Sequence, residues 1–148
     1  MSVIKTIALC SSASFYKKAL EVGRHLKKMG FKVLVPHTAK VMKKTGNFNV
    51  AIHKTWYLDP KTFKKKTRLM KKHFKLIAKS DAILVVNDTK NNIRGYIGGN
   101  TLMEMGLAFY LKKPIFLLNP ISKKSPFYEE VMGMFPKILD NDLSKIKK

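Results

Sequence analysis

The chain is short of acids, of arginine, of cysteine and of long apolar runs, and each shortage closes off a class of protein. Nine Asp and Glu face 30 Lys and Arg over 148 residues, for a formal net charge of +21. A balance that far from neutrality points to anionic partners. The arginines are Arg24, Arg68 and Arg94, so the positive surface is a lysine coat. The single cysteine, Cys10, excludes an internal disulfide. No apolar run reaches the roughly 18 residues of a membrane span, and no secretory signal pattern is present. The expectation is a cytoplasmic protein with no membrane association. His25, His37, His53 and His73 show no metal-ligand spacing, and neither a metal nor a cofactor is expected.

What is present is a globular composition, 45% apolar, and a regular alternation of patterns. "VIKTIALC" is a short β-branched apolar run that reads as a buried strand. Ser11, Ser12 and Ser14 follow it as turn or N-cap residues. A helix is predicted from about Phe15 to Met29 and stopped by Gly30. "FKVLVP" reads as a second strand, "SDAILVVN" as a third and "KPIFLLNP" as a fourth, with a short helix near Ser125 to Met132 and a weak last strand "KIL" after it. Asp59-Pro60 opens a long helix, Asp as N-cap and Pro in the first turn. Its predicted inner stripe is Phe63, Thr67, Met70, Phe74 and Ile77, and lysines cover the rest. Residues 37–59 lack a clear period and read as a partly helical, flexible flap. Strands alternating with helices imply one α/β domain over residues 1–148, a flavodoxin-like or Rossmann-like parallel sheet of about five strands with helices on both faces.

In such sheets ligands bind beyond the carboxyl ends of the strands, where strand order reverses. That rule selects Cys10, Ser11 and Ser12, then Asn87 and Asp88, then Asn119, with the loop through Tyr96, Gly98, Gly99 and Asn100 entering the fourth helix beside them. Glu104 stands out in that helix. Its neighbours at i+3, i+4 and i+7 are Leu107, Ala108 and Leu111, so no polar face receives it. With Asn100 read as N-cap, Glu104 falls near the positive end of the helix, where an anion is favoured. Burial of a carboxylate costs more than that dipole returns, so a functional pocket is the better explanation. Gly98 and Gly99 permit close approach of a ligand, and Gly106 permits close packing on a strand. The glycine spacing matches neither the P-loop nor the dinucleotide fingerprint.

Three segments in order, "IALCSSASFYKKALEVGRHLKKMGFKVLVP", "SDAILVVN" and "IGGNTLMEMGLAFYLKKPIFLLNP", resemble the nucleoside 2-deoxyribosyltransferase-like superfamily. "GGNTLME" also resembles the GGxGTxxE pattern of the cytokinin-activating phosphoribohydrolases. The resemblance implies cleavage or transfer at the N-glycosidic bond of a nucleoside or its 5'-monophosphate. It implies Glu104 as nucleophile, Asp81 as a substrate-binding aspartate and the loop Cys10 to Ser14 as the holder of sugar or 5'-phosphate. It implies a homodimer or higher homo-oligomer. Two positions depart from the pattern: Gly98 stands where an Asp or Ser is frequent, with Asn100 nearby, and Ala8 stands where a strand tyrosine steadies the nucleophile. For departure of the base a proton donor is needed, and Asp81, Asp88 or a flap residue is the candidate. The alternative is a non-catalytic nucleotide- or nucleic-acid-binding protein that uses the lysine-rich face at residues 61–79.

Overall fold

The computed structural model describes residues 3–147. Five parallel strands, β1 (Thr6–Cys10), β2 (Lys32–Leu34), β3 (Ala82–Val85), β4 (Ile115–Leu117) and β5 (Lys137–Ile138), form one sheet in the order 2-1-3-4-5. This is the flavodoxin-like order, with its reversal between β1 and β3. The connecting helices are α1 (Tyr16–Lys28), α2 (His37–Thr45), α3 (Val50–His53), α4 (Phe63–Lys79), α5 (Gly99–Tyr110) and α6 (Tyr128–Gly133). No helix among the described residues is long and apolar enough to cross a membrane.

The two faces of the sheet follow from the period of two along each strand. Ile7, Leu9, Ala82, Leu84, Phe116 and Leu118 pack with Ala19, Val22 and Leu26 of α1. Ala8, Cys10, Ile83, Val85, Ile115 and Leu117 pack on the other face with Ile77 of α4 and Met105 and Ala108 of α5. The parity of Cys10 therefore turns it toward α4 and α5.

Several local expectations are revised. The apolar runs are longer than the strands, because their ends leave the sheet for turns; β1 begins at Thr6 rather than Val3. The serines after β1 do not cap through their side chains: Ser12 precedes a 3-10 turn, Ala13–Phe15, and Phe15 stands before α1. Asp59 does cap, accepting from the Lys61 N–H, but it caps a 3-10 turn, and α4 starts at Phe63. The inner face of α4 is rotated from the predicted stripe. Phe63 and Thr67 are exposed, while His73 and Ile77 are buried and Lys66 and Met70 are half-buried. A Cβ on Gly106 would meet nothing within 4 Å, so this glycine is not required by close packing on a strand.

The flap over residues 37–59 is mostly ordered into α2, α3 and a 3-10 turn, Thr55–Tyr57, with Trp56 buried. It has no regular period because each short piece turns a different side chain inward.

Candidate active site

A cavity of about 350 Å³ opens at the carboxyl ends of β1 and β3, next to the reversal of strand order. The loop after β1 supplies Ser11, Ser12 and Ala13, and the start of α1 supplies Tyr16. The flap contributes His37, Thr38, His53, Lys54, Trp56 and Tyr57 as one wall. Lys66, Met70 and His73 of α4 form another, and the loop into α5 closes the site with Tyr96, Gly98, Gly99, Asn100, Thr101 and Glu104.

The predicted residues divide three ways. Ser11, Ser12, Tyr96, Gly98, Gly99, Asn100 and Glu104 line this cavity. Cys10 lies against it, its Sγ 3.6 Å from His73 Nε2, and Ser14 reaches its edge by accepting from Lys90 Nζ at 2.9 Å. Asp88 and Asn119 line a different cavity with Arg94, Gly95 and Pro120.

Asn87 has a structural task. Its Oδ1 accepts from the Asn119 N–H, its Nδ2 donates to the carbonyls of Asn119 and Gly95, and Asn119 Nδ2 donates back to the Asn87 carbonyl. This reciprocal pair ties the ends of β3 and β4 to the glycine loop. Gly95 is required there: its φ is +65°, and a Cβ would collide with the Pro120 carbonyl.

Asp81 sits at the opposite end of the sheet. It precedes β3, and its Oδ2 accepts from the N–H groups of Lys5 and Thr6 at 2.9 and 2.8 Å. Those donors hold its carboxyl below the ordinary range. Its geometry is that of a clamp between the starts of β1 and β3, far from the strand ends that carry the cavity.

Glu104 is buried, 3% exposed, as expected, but its setting differs from expectation. Gly98, not Asn100, is the N-cap of α5, and no acid lies in the first turn. Glu104 is therefore in the second turn, beyond the free N–H groups. Burial dominates and pushes its carboxyl up to about 8, with Lys66 opposing. His73 Nε2 lies 3.3 Å from Glu104 Oε2, and burial pushes this imidazole down to about 4. Both shifts favour the uncharged form of each partner, so burial works against a charged His73–Glu104 pair. The Leu9 backbone opposes the lowering of His73.

Around this pair the cavity is cationic. Lys66 Nζ donates to Asn100 Oδ1 at 2.9 Å and lies 5.5 Å from the centre of the Trp56 ring. Burial and Lys54 lower the pKa of Lys66, and burial lowers that of Lys54. Lys90 Nζ lies 5.3 Å from the centre of the Tyr96 ring. The Tyr16 hydroxyl is held protonated by burial and by the neighbouring Glu104. Thr101 Oγ1 is buried without a hydrogen-bonding partner among the described residues, which leaves it available to a ligand.

His73, Lys66 and Tyr16 were not legible as site residues. A trace of His73 is present in the sequence, since Met70, His73 and Ile77 follow the i, i+3, i+7 spacing of one helix face. A titratable residue inside an otherwise apolar stripe was the available signal.

No family model matches the chain, and no curated protein matches it. Among solved structures it is similar to a 2-deoxyribosyltransferase from the psychrotolerant bacterium Bacillus psychrosaccharolyticus, at 20% identity and a TM-score of 0.47, over 76% of this chain and 70% of that one.

Proposed function

We propose that the protein cleaves or transfers at the N-glycosidic bond of a nucleoside or nucleoside 5'-monophosphate, with Glu104 as nucleophile. The observation that carries this reading is one buried carboxyl facing a polar cavity, 3.3 Å from an imidazole placed to relay its proton. Burial favours the protonated carboxyl of Glu104, which must be ionised before it can attack. Loss of that proton to water in the cavity, by way of His73 Nε2, leaves a carboxylate that Lys66 favours. The carboxylate attacks C1' as the bond to the base breaks, giving a glycosyl-enzyme that water or a second base resolves.

The leaving base requires a proton or a hydrogen bond, and this role moves away from Asp81 and Asp88, which do not line the cavity. Donors within it include the Tyr16 hydroxyl and the ammonium groups of Lys54, Lys66 and Lys90. Tyr16 also stands in for the tyrosine that the resemblance expects at Ala8, from the next element rather than the strand. Lys54, Lys66 and Lys90 favour a substrate carrying a 5'-phosphate, and Trp56 and Tyr96 offer faces for a base. A homodimer or higher homo-oligomer belongs to the same reading, and α5 exposes Met103, Phe109 and Tyr110.

The test is chromatography of free base after incubation with panels of nucleosides and 5'-monophosphates, with and without an acceptor base, beside Glu104→Ala. Release that depends on Glu104 supports the reading, and the acceptor arm separates transfer from hydrolysis. No release from any panel member, or equal release by the variant, overturns it.

A second reading, binding of nucleotide or nucleic acid without turnover, is favoured by one observation. Lys64, Arg68, Lys71, Lys75 and Lys79 of α4 are exposed, while among the described residues the one ion pair of a Lys or Arg is Lys145–Asp140. Binding that weakens steeply with salt and no base release would favour it.

A further inference from the structure

The burial of Cys10 against the cavity is used by neither reading, and its position has a chemical consequence. Cys10 comes from β1, His73 from α4 and Glu104 from α5, three elements that meet on one face of the sheet. Cys10 Sγ is 3.6 Å from His73 Nε2, His73 Nε2 is 3.3 Å from Glu104 Oε2, and the three ligand atoms all lie within 4.8 Å of one another.

Those separations can be compared with the edges of a coordination tetrahedron. Zinc bonds of about 2.3 Å to sulfur and about 2.0–2.1 Å to nitrogen and oxygen give an S···N edge of about 3.6 Å and an N···O edge of about 3.3 Å. The two measured distances match these edges before any metal is bound. A thiol, an imidazole and a carboxyl are also an unusual trio to bury together, with exposures of 1%, 7% and 3%, because the one nitrogen Nε2 faces both of the others.

We propose that Cys10 Sγ, His73 Nε2 and Glu104 form a three-ligand site for a borderline-soft divalent cation, Zn2+ above all. A thiolate and an imidazole select such an ion over Mg2+ or Ca2+, which take oxygen ligands. The thiolate and carboxylate together neutralise its charge, which suits the low-dielectric floor on which they sit. His73 and Glu104 both line the cavity, which puts the site within reach of water or an exogenous ligand, as in open rather than structural zinc sites. A metal held there engages Glu104, so the loaded protein has no free carboxylate for attack on a sugar. The site itself rests on geometry and stands whether or not that reaction occurs.

The experiment uses full-length protein stripped with a chelator and titrated with Co2+ and then Zn2+. The expected result is one equivalent bound, visible d–d bands of tetrahedral intensity and a near-ultraviolet thiolate-to-cobalt charge-transfer band, displaced by Zn2+. Because Cys10 is the only cysteine, that band reports this residue in the unaltered protein. Cys10→Ser should remove the band, and Cys10→Ser, His73→Gln and Glu104→Gln should each weaken Zn2+ binding at least roughly tenfold, as loss of a ligand does. Circular dichroism of each variant separates loss of a ligand from loss of the fold. No binding in the micromolar range overturns the proposal. So does a cobalt spectrum without the thiolate band, or binding that folded His73 and Glu104 variants leave unchanged.

Discussion

His73 Nε2 and Glu104 Oε2 meet at 3.3 Å across the packed faces of α4 and α5, beneath the cavity. Within the proposed reaction His73 is the group that relieves Glu104 of its proton. In chelator-treated protein, His73→Ala is expected to lower kcat at pH 7 by up to roughly tenfold, because a carboxyl near 8 is still about one-tenth ionised there unaided. KM should change little, and the deficit should shrink above pH 8, where Glu104 ionises unaided. A pH profile of kcat parallel to that of the unaltered protein would remove His73 from the reaction.

The same pair shapes stability. Burial raises Glu104 from 4.5 to about 8, so its protonated form favours the fold, and that contribution is lost as pH rises through the interval. Burial lowers His73 from 6.5 to about 4, so its contribution is lost as pH falls through that interval. Between 4.5 and 6.5 the two slopes oppose each other. From 6.5 to 8 Glu104 acts alone of the pair. Urea unfolding of metal-free protein should therefore show the unaltered chain losing stability relative to Glu104→Gln across that upper window. Parallel curves there would contradict the raised carboxyl.

Asp81 tests the separation between clamp and site. Its carboxylate accepts two backbone N–H bonds and titrates below the ordinary 3.8. The stability it contributes is present above that value and is lost as pH falls through its lower folded value. Asp81→Asn should reduce stability at neutral pH, converge with the unaltered protein in acid, and leave base release intact. Abolished turnover with unchanged stability would return Asp81 to the reaction.

Asn87→Ala strips partners from the Asn119 N–H and from two carbonyls, which should cost about 1–3 kcal/mol per group left unsatisfied in the interior. Gly95→Ala forces a side chain into left-handed backbone, at about 1–2 kcal/mol, before its collision with the Pro120 carbonyl is counted. Both should lower the urea midpoint. An unchanged midpoint in either would show that the glycine loop is held by something else.

Trp56 is the only tryptophan, and it lines the cavity. Its fluorescence should change saturably on addition of a nucleoside 5'-monophosphate to Glu104→Gln, in which turnover is blocked. Lys66→Met should weaken that response for the phosphate more than for the nucleoside. A signal indifferent to both ligands would place binding elsewhere.

Much of this architecture is written locally. Apolar runs of strand length between amphipathic helices declare a parallel α/β sheet. The rule of strand ends leads to Ser11, Ser12, Gly98 and Gly99, which line the cavity, but also to Asp88 and Asn119, which line another. The polarity of Glu104 inside an apolar helix is visible because periodicity is a property of the chain itself.

What periodicity does not carry is the register between elements. The rotation of α4 that turns His73 rather than Thr67 inward depends on how it packs against α5 and β1, and so does the meeting of Cys10 with both. The placement of Asp81 at the far end of the sheet, and the shift of the N-cap from Asn100 to Gly98, likewise follow from the path of the folded backbone. The protonation of Glu104 is the clearest case: the sequence alone determined that a carboxyl lies in an apolar helix, and only the tertiary structure decided its state. Desolvation is a sum over everything packed around a group, and those neighbours come from elements distant in the chain.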